Sequence, residues 1–162
     1  MRVVVLGVDP GTARTGWGAV ESLDGRMKLL DCGYISTPPG MKPAHRLKII
    51  FDEISAIMRH FSPDEVAIER LYFNTNVKTA MSVSEARGVV MLASVVEGLD
   101  LFEYTPLEVK QAITGYGRAE KVQVATMVKA LLNLPAVPKP DDTADAIAVA
   151  ICHINMRESV LR

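Results

Sequence analysis

The sequence is poor in the residues that would build a zinc site or a disulfide framework. It contains 2 cysteines and 3 histidines in 162 residues. Cys32 and Cys152 lie far apart in apolar stretches, outside any CxxC pair, and the histidines do not fall at ligand spacings with them. We therefore expect two buried, reduced thiols and no zinc site.

A strong charge imbalance and long hydrophobic runs are also missing. The formal net charge of −1 leaves nucleic-acid binding undecided. No apolar run is long enough to span a bilayer. The apolar residues 3–8 lead directly into Asp9-Pro10-Gly11, without the length or cleavage site of a signal peptide. We predict a cytoplasmic protein that makes no membrane contact.

The composition is that of a globular domain, with 49% hydrophobic and 23% charged residues. The length suits one compact domain with a core of its own. No repeat or long linker divides the chain. We predict a single domain over residues 1–158 and a short tail at 159–162.

Hydrophobic periodicity and turn residues predict ten elements. The predicted strands are 3–8, 15–21, 28–36, 65–69 and 101–104, and the predicted helices are 43–61, 76–98, 106–114, 119–132 and 142–156. The turn Leu23-Asp24-Gly25-Arg26 indicates a hairpin between the second and third strands. Strands that come first and then alternate with helices predict an α/β domain with a mixed five-stranded sheet flanked by helices.

Acidic residues occur where this fold does not need them. Asp9 ends the first strand, Glu69 ends the fourth, and Asp142 and Asp145 share one face at the start of the last helix. Sites in α/β sheets form beyond the carboxyl ends of strands, so these acids could be neighbours. Acids on an apolar helix repel one another and lose hydration, and a hard divalent cation such as Mg²⁺ or Mn²⁺ would compensate. Two such ions about 3.5–4 Å apart perform in-line displacement at phosphorus.

Each acid also has a purely structural interpretation. Asp9 could belong only to a turn, and Glu69 could be a surface acid at a strand end. Asp141 or Asp142 could cap the last helix. Asp145, one turn inside an apolar helix, is the hardest to explain structurally. We interpret His153 as a packed core residue rather than a metal ligand.

Several segments resemble bacterial RuvC, a family of Holliday-junction resolvases. The similarity extends over roughly residues 3–153 and is carried, in the expected order, by Gly7-Val8-Asp9-Pro10-Gly11-Thr12, Ala67-Ile68-Glu69, Glu85-Ala86-Arg87-Gly88, Val109-Lys110-Gln111 and Asp142-Thr143-Ala144-Asp145-Ala146-Ile147-Ala148. The resemblance implies an RNase H-like fold, a homodimer and two Mg²⁺ ions per site, with Mn²⁺ as a substitute. It further implies a bacterial endodeoxyribonuclease that makes paired nicks in opposing strands of four-way junctions during recombination and DNA repair. The expected products carry 5′-phosphate and 3′-hydroxyl ends, and the expected partner is a branch-migration helicase.

The resemblance also assigns roles to individual residues. Asp9, Glu69, Asp142 and Asp145 match the catalytic, metal-binding acids of the family. Lys110 and Lys121 match basic positions near the scissile phosphate. Tyr72 occupies the position of an aromatic residue, usually Phe, that stacks on a base at the junction centre.

The residues themselves leave the DNA-binding roles open. Lys110 and Lys121 could be ordinary surface lysines, since Glu108 and Glu120 stand beside them. Either Tyr72 or Phe73 could stack on a base while the other packs in the core. Four further residues are candidates for contacts with the DNA backbone, namely Asn74, Asn76, Lys78 and Arg118. Small residues in the long helix 76–98 allow close helix packing, either within the chain or in the dimer interface that the resemblance implies: Ala80, Ser84, Gly88, Ala93 and Ser94.

Three other functions compete with junction cleavage. A sugar- or acetate-kinase-like ATPase would need two such domains around a cleft, and the chain has no Walker-type loop. A non-catalytic junction-binding protein would be expected to lack some of the acids, whereas all four are present. A nuclease for RNA–DNA hybrids or linear DNA would share the chemistry and differ in assembly, since a junction requires two active sites.

Overall fold

The computed structural model describes residues 1–70 and 77–160, which form five strands and five helices. In chain order these are β1 (Arg2–Asp9), β2 (Arg14–Leu23), β3 (Arg26–Ser36), α1 (Pro43–Phe61), β4 (Glu65–Glu69), α2 (Val77–Val96), β5 (Asp100–Tyr104), α3 (Pro106–Thr114), α4 (Lys121–Leu131) and α5 (Asp141–Val160). The mixed five-stranded sheet predicted from the sequence is confirmed, because β1 runs antiparallel to β2 and parallel to β4.

The sheet has the strand order β3-β2-β1-β4-β5, which places the most apolar strand in the middle. Residues 3–8 of β1 are buried on both faces, as a continuous apolar run predicts. The hairpin between β2 and β3 turns at Asp24 and Gly25, whose φ angles are 50° and 81°. Positive φ at both central residues is the signature of a type I′ turn, which matches the twist of the flanking strands.

Helices cover both faces of the sheet and give the domain two hydrophobic cores. One core packs α1 and α2 against the sheet through residues such as Ile54, Val90 and Ile68. The other packs α3, α4 and α5 against the opposite face, with Ile147 and Ile151 of α5 fully buried. Helix α5 lies over β1 and β2, which places its first turn near the end of β1.

The observed elements differ from the predicted ones mainly at helix ends. Helix α4 begins at Lys121 rather than Ala119, because Gln123 Oε1 accepts a hydrogen bond from the Glu120 N–H at 2.7 Å and so defines the first turn. Helix α5 begins at Asp141 and continues to Val160, four residues beyond the predicted end. The proposed division into a domain over 1–158 and a tail stays a prediction.

Helix α2 corrects one expectation from the sequence. By length and composition it could cross a membrane, with a mean hydropathy of 1.2 over its most apolar window, so the expectation that no segment is long enough was wrong. It is nevertheless part of the domain, since Ala86 and Val90 are buried in the core. Ala93 and Ser94 are buried on the same side, whereas Ser84 and Gly88 are exposed, so the small residues do not form one surface.

The two cysteines are free thiols in the structure. Cys152 is completely buried in α5, as expected. Cys32 is only half-buried, because it lies on β3, the strand at the edge of the sheet.

Candidate active site

Asp9 and Glu69 are the last residues of two adjacent parallel strands. The register pairs Val8 of β1 with Ile68 of β4, so the next residue on each strand is an acid at the same edge of the sheet. The hypothesis that these two carboxylates are neighbours required adjacent, parallel strands. The structure confirms both conditions.

Helix α5 brings two more acids to this edge because glycines allow its backbone to approach the sheet. A Cβ atom added to Gly7 would lie 1.9 Å from the carbonyl oxygen of Ala146, and one added to Gly16 would lie 2.1 Å from that of Asp142. Neither position has room for a side chain. Gly16 pairs with Asp9 across β1 and β2, so its contact with α5 holds Asp142 beside the end of β1.

The electrostatics of Asp9 show that the four acids converge. Burial, followed by repulsion from Asp145, Asp142 and Glu69, raises the pKa of the Asp9 carboxyl from 3.8 to about 8, and Lys121 opposes the shift. An isolated turn or surface acid would feel none of these three carboxylates. The interpretation of Asp9 as part of a simple turn therefore does not account for its surroundings.

Glu69 and Asp145 share this environment with two lysines. Burial and then repulsion from Asp145 raise the pKa of Glu69, while Lys121 and Lys110 lower it. Burial also raises the pKa of Asp145, opposed by a hydrogen bond from Lys121 Nζ to Asp145 Oδ2 of 3.1 Å. Burial disfavours the charge on Lys121, but the hydrogen bond and the attraction of Asp145 and Asp9 raise its pKa overall. Lys110 and Lys121 thus lie close enough to act on the acids, and their role at the scissile phosphate stays a prediction.

Arg14 is a neighbour of the acids that the sequence interpretation missed. Its Nε lies 3.6 Å from Asp142 Oδ2, and its guanidinium carbon lies 5.6 Å from the centre of the Tyr34 ring. Tyr34 is exposed on β3. The sequence did contain a signal for this contact. Arg14 is a basic residue that begins β2 only two positions before Gly16, and Gly16 pairs with Asp9 at the end of β1.

The four carboxylates form an open arrangement rather than a closed set of ligands. Within residues 1–70 and 77–160, no three histidine, cysteine or acidic side chains are positioned to hold a metal ion together. Like charges repel, and Asp142 and Asp145 instead contact the cations Arg14 and Lys121. The donor set still fits Mg²⁺ or Mn²⁺, because it consists of carboxylate oxygens, the ligands that these hard cations prefer.

Of the other predicted DNA-binding residues, Lys78 and Arg118 lie within the described part of the chain. Lys78 is exposed in the first turn of α2, and Arg118 is exposed between α3 and α4. Tyr72, Phe73, Asn74 and Asn76 lie outside the described residues.

Several residues near the acids have structural roles. Glu108 caps α3, since its carboxylate accepts from the Thr105 N–H at 2.7 Å while the Thr105 hydroxyl accepts from the Glu108 N–H. His153 is a packed core residue, as predicted, and is 3% exposed. Its ring nitrogens lie 2.6 Å from the Tyr104 hydroxyl and 2.7 Å from Glu65 Oε2.

Asp141 and Asp142 occupy the first turn of α5, rather than the capping position before it. The N–H of Thr143 in this turn donates to the carbonyl of Pro140 at 3.0 Å. Negative charges at these positions are favoured by the helix dipole.

Comparison with known proteins identifies the family. The model of the crossover junction endodeoxyribonuclease RuvC family matches residues 5–153, which includes all four acids. The chain belongs to the RuvC family. It is 52% identical over 153 residues to the RuvC of Ruminiclostridium cellulolyticum, covering 94% of this chain and 92% of that protein. It is 54% identical over 151 residues to the RuvC of Alkaliphilus oremlandii, covering 93% and 92%. A RuvC-family chain is an endodeoxyribonuclease, so the expectation of an enzyme is confirmed.

Solved RuvC structures confirm the RNase H-like architecture. The RuvC of Thermus thermophilus in complex with a Holliday junction substrate superposes with a TM-score of 0.92 at 33% identity, covering 98% of this chain and 96% of that one. The yeast mitochondrial Holliday junction resolvase Ydc2 has the same fold, with a TM-score of 0.72 at 15% identity, over 97% of this chain and 80% of the other.

Proposed function

We propose that this RuvC-family enzyme resolves four-way DNA junctions by metal-assisted hydrolysis, with Asp9, Glu69, Asp142 and Asp145 as its metal-binding and catalytic acids. The observation that carries the proposal is the position of Asp9, a partly buried acid at the end of β1 that is repelled by the other three carboxylates at once. Without a bound cation, repulsion among clustered carboxylates destabilises the folded protein, and bound cations would remove this cost.

The acids would hold two Mg²⁺ ions, or Mn²⁺ in their place. The chemistry that such ions would supply is neutralisation of charge on the phosphodiester and a lower pKa for the attacking water, which would then be deprotonated at neutral pH. The chain needs no nucleophilic side chain of its own. Hydrolysis that breaks the bond between phosphorus and the 3′ oxygen leaves a 3′-hydroxyl and a 5′-phosphate.

The lysines would position the scissile strand. Lys121 is largely exposed and forms its hydrogen bond with Asp145 at the rim of the cluster, where it could also reach a phosphate oxygen. Lys110 acts on Glu69 from α3. Cations on this side of the acids would hold the negatively charged backbone over the site. We also propose DNA contacts for five other residues, namely Tyr72, Phe73, Asn76, Lys78 and Arg118.

The exposed face of α2 supports a homodimer. Large apolar side chains point away from the core along this helix, and Val77, Met81, Leu92 and Val95 are 78%, 64%, 57% and 72% exposed. They lie on the side opposite to buried Ala86 and Val90. Apolar side chains aligned on one face indicate a contact surface. A two-fold dimer through this face would present two active sites to a substrate of matching symmetry.

The proposed setting is the bacterial cytoplasm, in recombination and DNA repair, together with a branch-migration helicase. Support comes from the bacterial RuvC relatives and from the Thermus thermophilus RuvC, whose structure contains a Holliday junction substrate. A helicase that moves the branch point would bring different DNA sequences to the two active sites of the dimer, until a pair of cleavable phosphodiesters is reached.

Cleavage of synthetic substrates tests the proposal directly. The protein is incubated with Mg²⁺ and an end-labelled four-way junction, with duplex DNA and an RNA–DNA hybrid as comparison substrates. We expect paired nicks in the junction and no cutting of the other two. Preferential cutting of the hybrid would favour the rival nuclease function, and a junction bound but never cut would favour the non-catalytic one.

Variants then test the four acids. Asp9→Asn and Asp145→Asn should abolish cleavage while the protein stays folded. Asp52→Asn is the matched control, since Asp52 is an exposed acid on α1 that pairs with Lys48. Cleavage that survives in both active-site variants would remove the proposed mechanism.

A further inference from the structure

A cleft of about 670 Å³ lies beside Asp142, and Lys78, one of the predicted DNA-binding residues, lines it. It forms where the turn after β1 meets the start of α1 and the first half of α2. Its volume is within the range of about 300–1,000 Å³ that is typical of ligand-binding pockets. Asp145 and Lys121 border a separate cleft beside α4, so the two openings flank the first turn of α5.

Three basic residues from three different elements line this cleft: Arg14, Arg46 and Lys78. The acids on its lining are Glu85 and Asp142, and Asp142 is one of the proposed metal ligands. Three cations against two acids leave the cleft positive, and a metal bound to Asp142 would make it more so. A concave surface of this sign attracts anions.

Arg46 is held in place by a chain of hydrogen bonds. Its Nε donates to the Thr37 hydroxyl at 2.7 Å, and that hydroxyl donates to the carbonyl of Thr12 at 2.6 Å. The Thr12 hydroxyl in turn donates to the carbonyl of Ser82 on α2 at 2.8 Å. Thr37 is 6% exposed, so this chain is mostly shielded from water. It fixes the guanidinium at the cleft and leaves the terminal nitrogens to other acceptors.

No carboxylate of the described residues lies within 4.0 Å of the Arg46 guanidinium. A fixed arginine without a nearby acid is well suited to bind an anion, because little conformational entropy is lost on binding. The planar guanidinium also matches the geometry of phosphate oxygens.

Arg14 completes the cationic lining next to the acids. It is positioned between Asp142 and the ring of Tyr34, and its side chain is 48% exposed. A phosphate in this cleft would therefore find a cation directly beside Asp142.

We propose that this cleft binds a backbone phosphate of the junction, with Arg14 and Arg46 as its ligands, on the side of the active site opposite Lys121. The inference rests on the proposed function and extends it. The strand that crosses the acids must continue on both sides of them, and the lysines of α3 and α4 serve only one side. The cleft supplies the cations for the other.

Salt dependence of junction binding tests this inference. Binding to a labelled four-way junction is measured by fluorescence anisotropy in EDTA, at salt concentrations from about 50 to 200 mM. The plot of log K against log salt has a negative slope, and each lost phosphate contact makes that slope shallower by about 0.9. We expect Arg14→Gln and Arg46→Gln each to reduce the magnitude of the slope by about one, and the double variant to reduce it by about two.

Two further variants separate charge from structure. Arg46→Lys keeps the charge but not the bond to Thr37, so it should retain most of the slope that Arg46→Gln loses. Arg59→Gln is the matched control, because Arg59 is on α1 but about 20 Å farther along the helix, and pairs with Glu97. Should Arg46→Gln fail to fold, Arg14→Gln carries the test, since Arg14 is half-exposed.

The outcomes distinguish this inference from the proposed function. Wild-type protein that neither binds nor cuts junctions would refute the proposed function. Wild-type protein that cuts junctions, together with a double variant whose slope equals the wild-type slope, would refute only the phosphate cleft. An equally large loss of slope magnitude in Arg59→Gln would also refute the phosphate cleft, because the effect would then come from net charge alone.

Discussion

Gly16 and Asp142 touch through their backbones, at a distance that leaves no room for a Cβ atom. A Cβ on Gly16 would lie 2.1 Å from the carbonyl oxygen of Asp142. Gly16 pairs with Asp9 in the sheet, so this single contact links an acid on a strand to an acid on a helix. The geometry of the acid cluster depends on the absence of a side chain at this position.

Gly16→Ala should therefore reduce activity although the added methyl group is unreactive, because the methyl group acts only through the space that it occupies. The added methyl group must push the first turn of α5 away from β2, and overpacking of this kind costs about 1–3 kcal/mol of stability. A displacement near 1 Å at an active site costs about 10²-fold in rate. Junction cleavage rates and thermal melting measure both effects.

Gly40→Ala is the control for this substitution. Gly40 has no atom within 4 Å of an added Cβ, so its stability and activity should stay close to wild type. Full activity in Gly16→Ala would show that α5 moves without disturbing the acids.

Asp9→Asn should make the metal-free protein more stable while it abolishes cleavage. Burial and three neighbouring carboxylates make a charge on Asp9 unfavourable, and an amide of the same shape removes that cost. Each 1 kcal/mol gained raises Tm by about 2–4 °C in a domain of this size. Melting in EDTA and in Mg²⁺ is the measurement, and the stabilisation by Mg²⁺ should shrink in the variant. A lower Tm in EDTA would contradict the repulsion described here.

The stability of the metal-free protein should fall as pH rises toward 8. Asp9 has a pKa of about 8 in the folded chain against 3.8 as an ordinary carboxyl, so between these values the folded state holds a proton that the unfolded state has lost. Folding is then increasingly disfavoured as pH rises, and this effect levels off above the folded pKa. Melting in EDTA from about pH 5 to pH 9 tests the sign.

Mg²⁺ should reverse this trend, because the metal binds the deprotonated carboxylate. The increase in Tm caused by Mg²⁺ should grow over the same pH range. Asp9→Asn serves as the reference, since it should flatten the metal-free profile. If Tm of metal-free Asp9→Asn falls with pH as steeply as that of the wild type, a group other than Asp9 is responsible for the pH dependence.

Met81→Glu should convert a dimer into a monomer. Met81 is 64% exposed on the apolar face of α2, where a two-fold interface would bury both copies of a new charge. Light scattering after gel filtration reports the mass, which is the readout because Met81 also lines the cleft beside Asp142 and a charge there would affect DNA binding directly. Val160→Glu, on an 86% exposed residue of α5, is the control. A Met81→Glu protein that stays dimeric would place the interface elsewhere.

Local patterns in the sequence were sufficient for most of the fold. The apolar run of β1, the Asp24-Gly25 turn and the periodicity of α1 depend on neighbouring residues, so they can be identified without tertiary contacts. Helix ends were less accurate, as at α4 and α5, because caps and packing decide them. The exposed face of α2 escaped detection, since apolar residues occur on both of its sides and only packing shows which side is buried.

The sequence by itself determined which acids are out of place, because an acid after a buried strand or inside an apolar helix is visible from its immediate neighbours. Only the tertiary structure decided that these acids meet, that Arg14 and Lys121 are their counter-ions, and that Arg46 faces a cleft beside them. Those relations join residues up to 136 positions apart. Their cause is the close packing of α5 against two glycine-containing strands, a property of three-dimensional contact that no local pattern encodes.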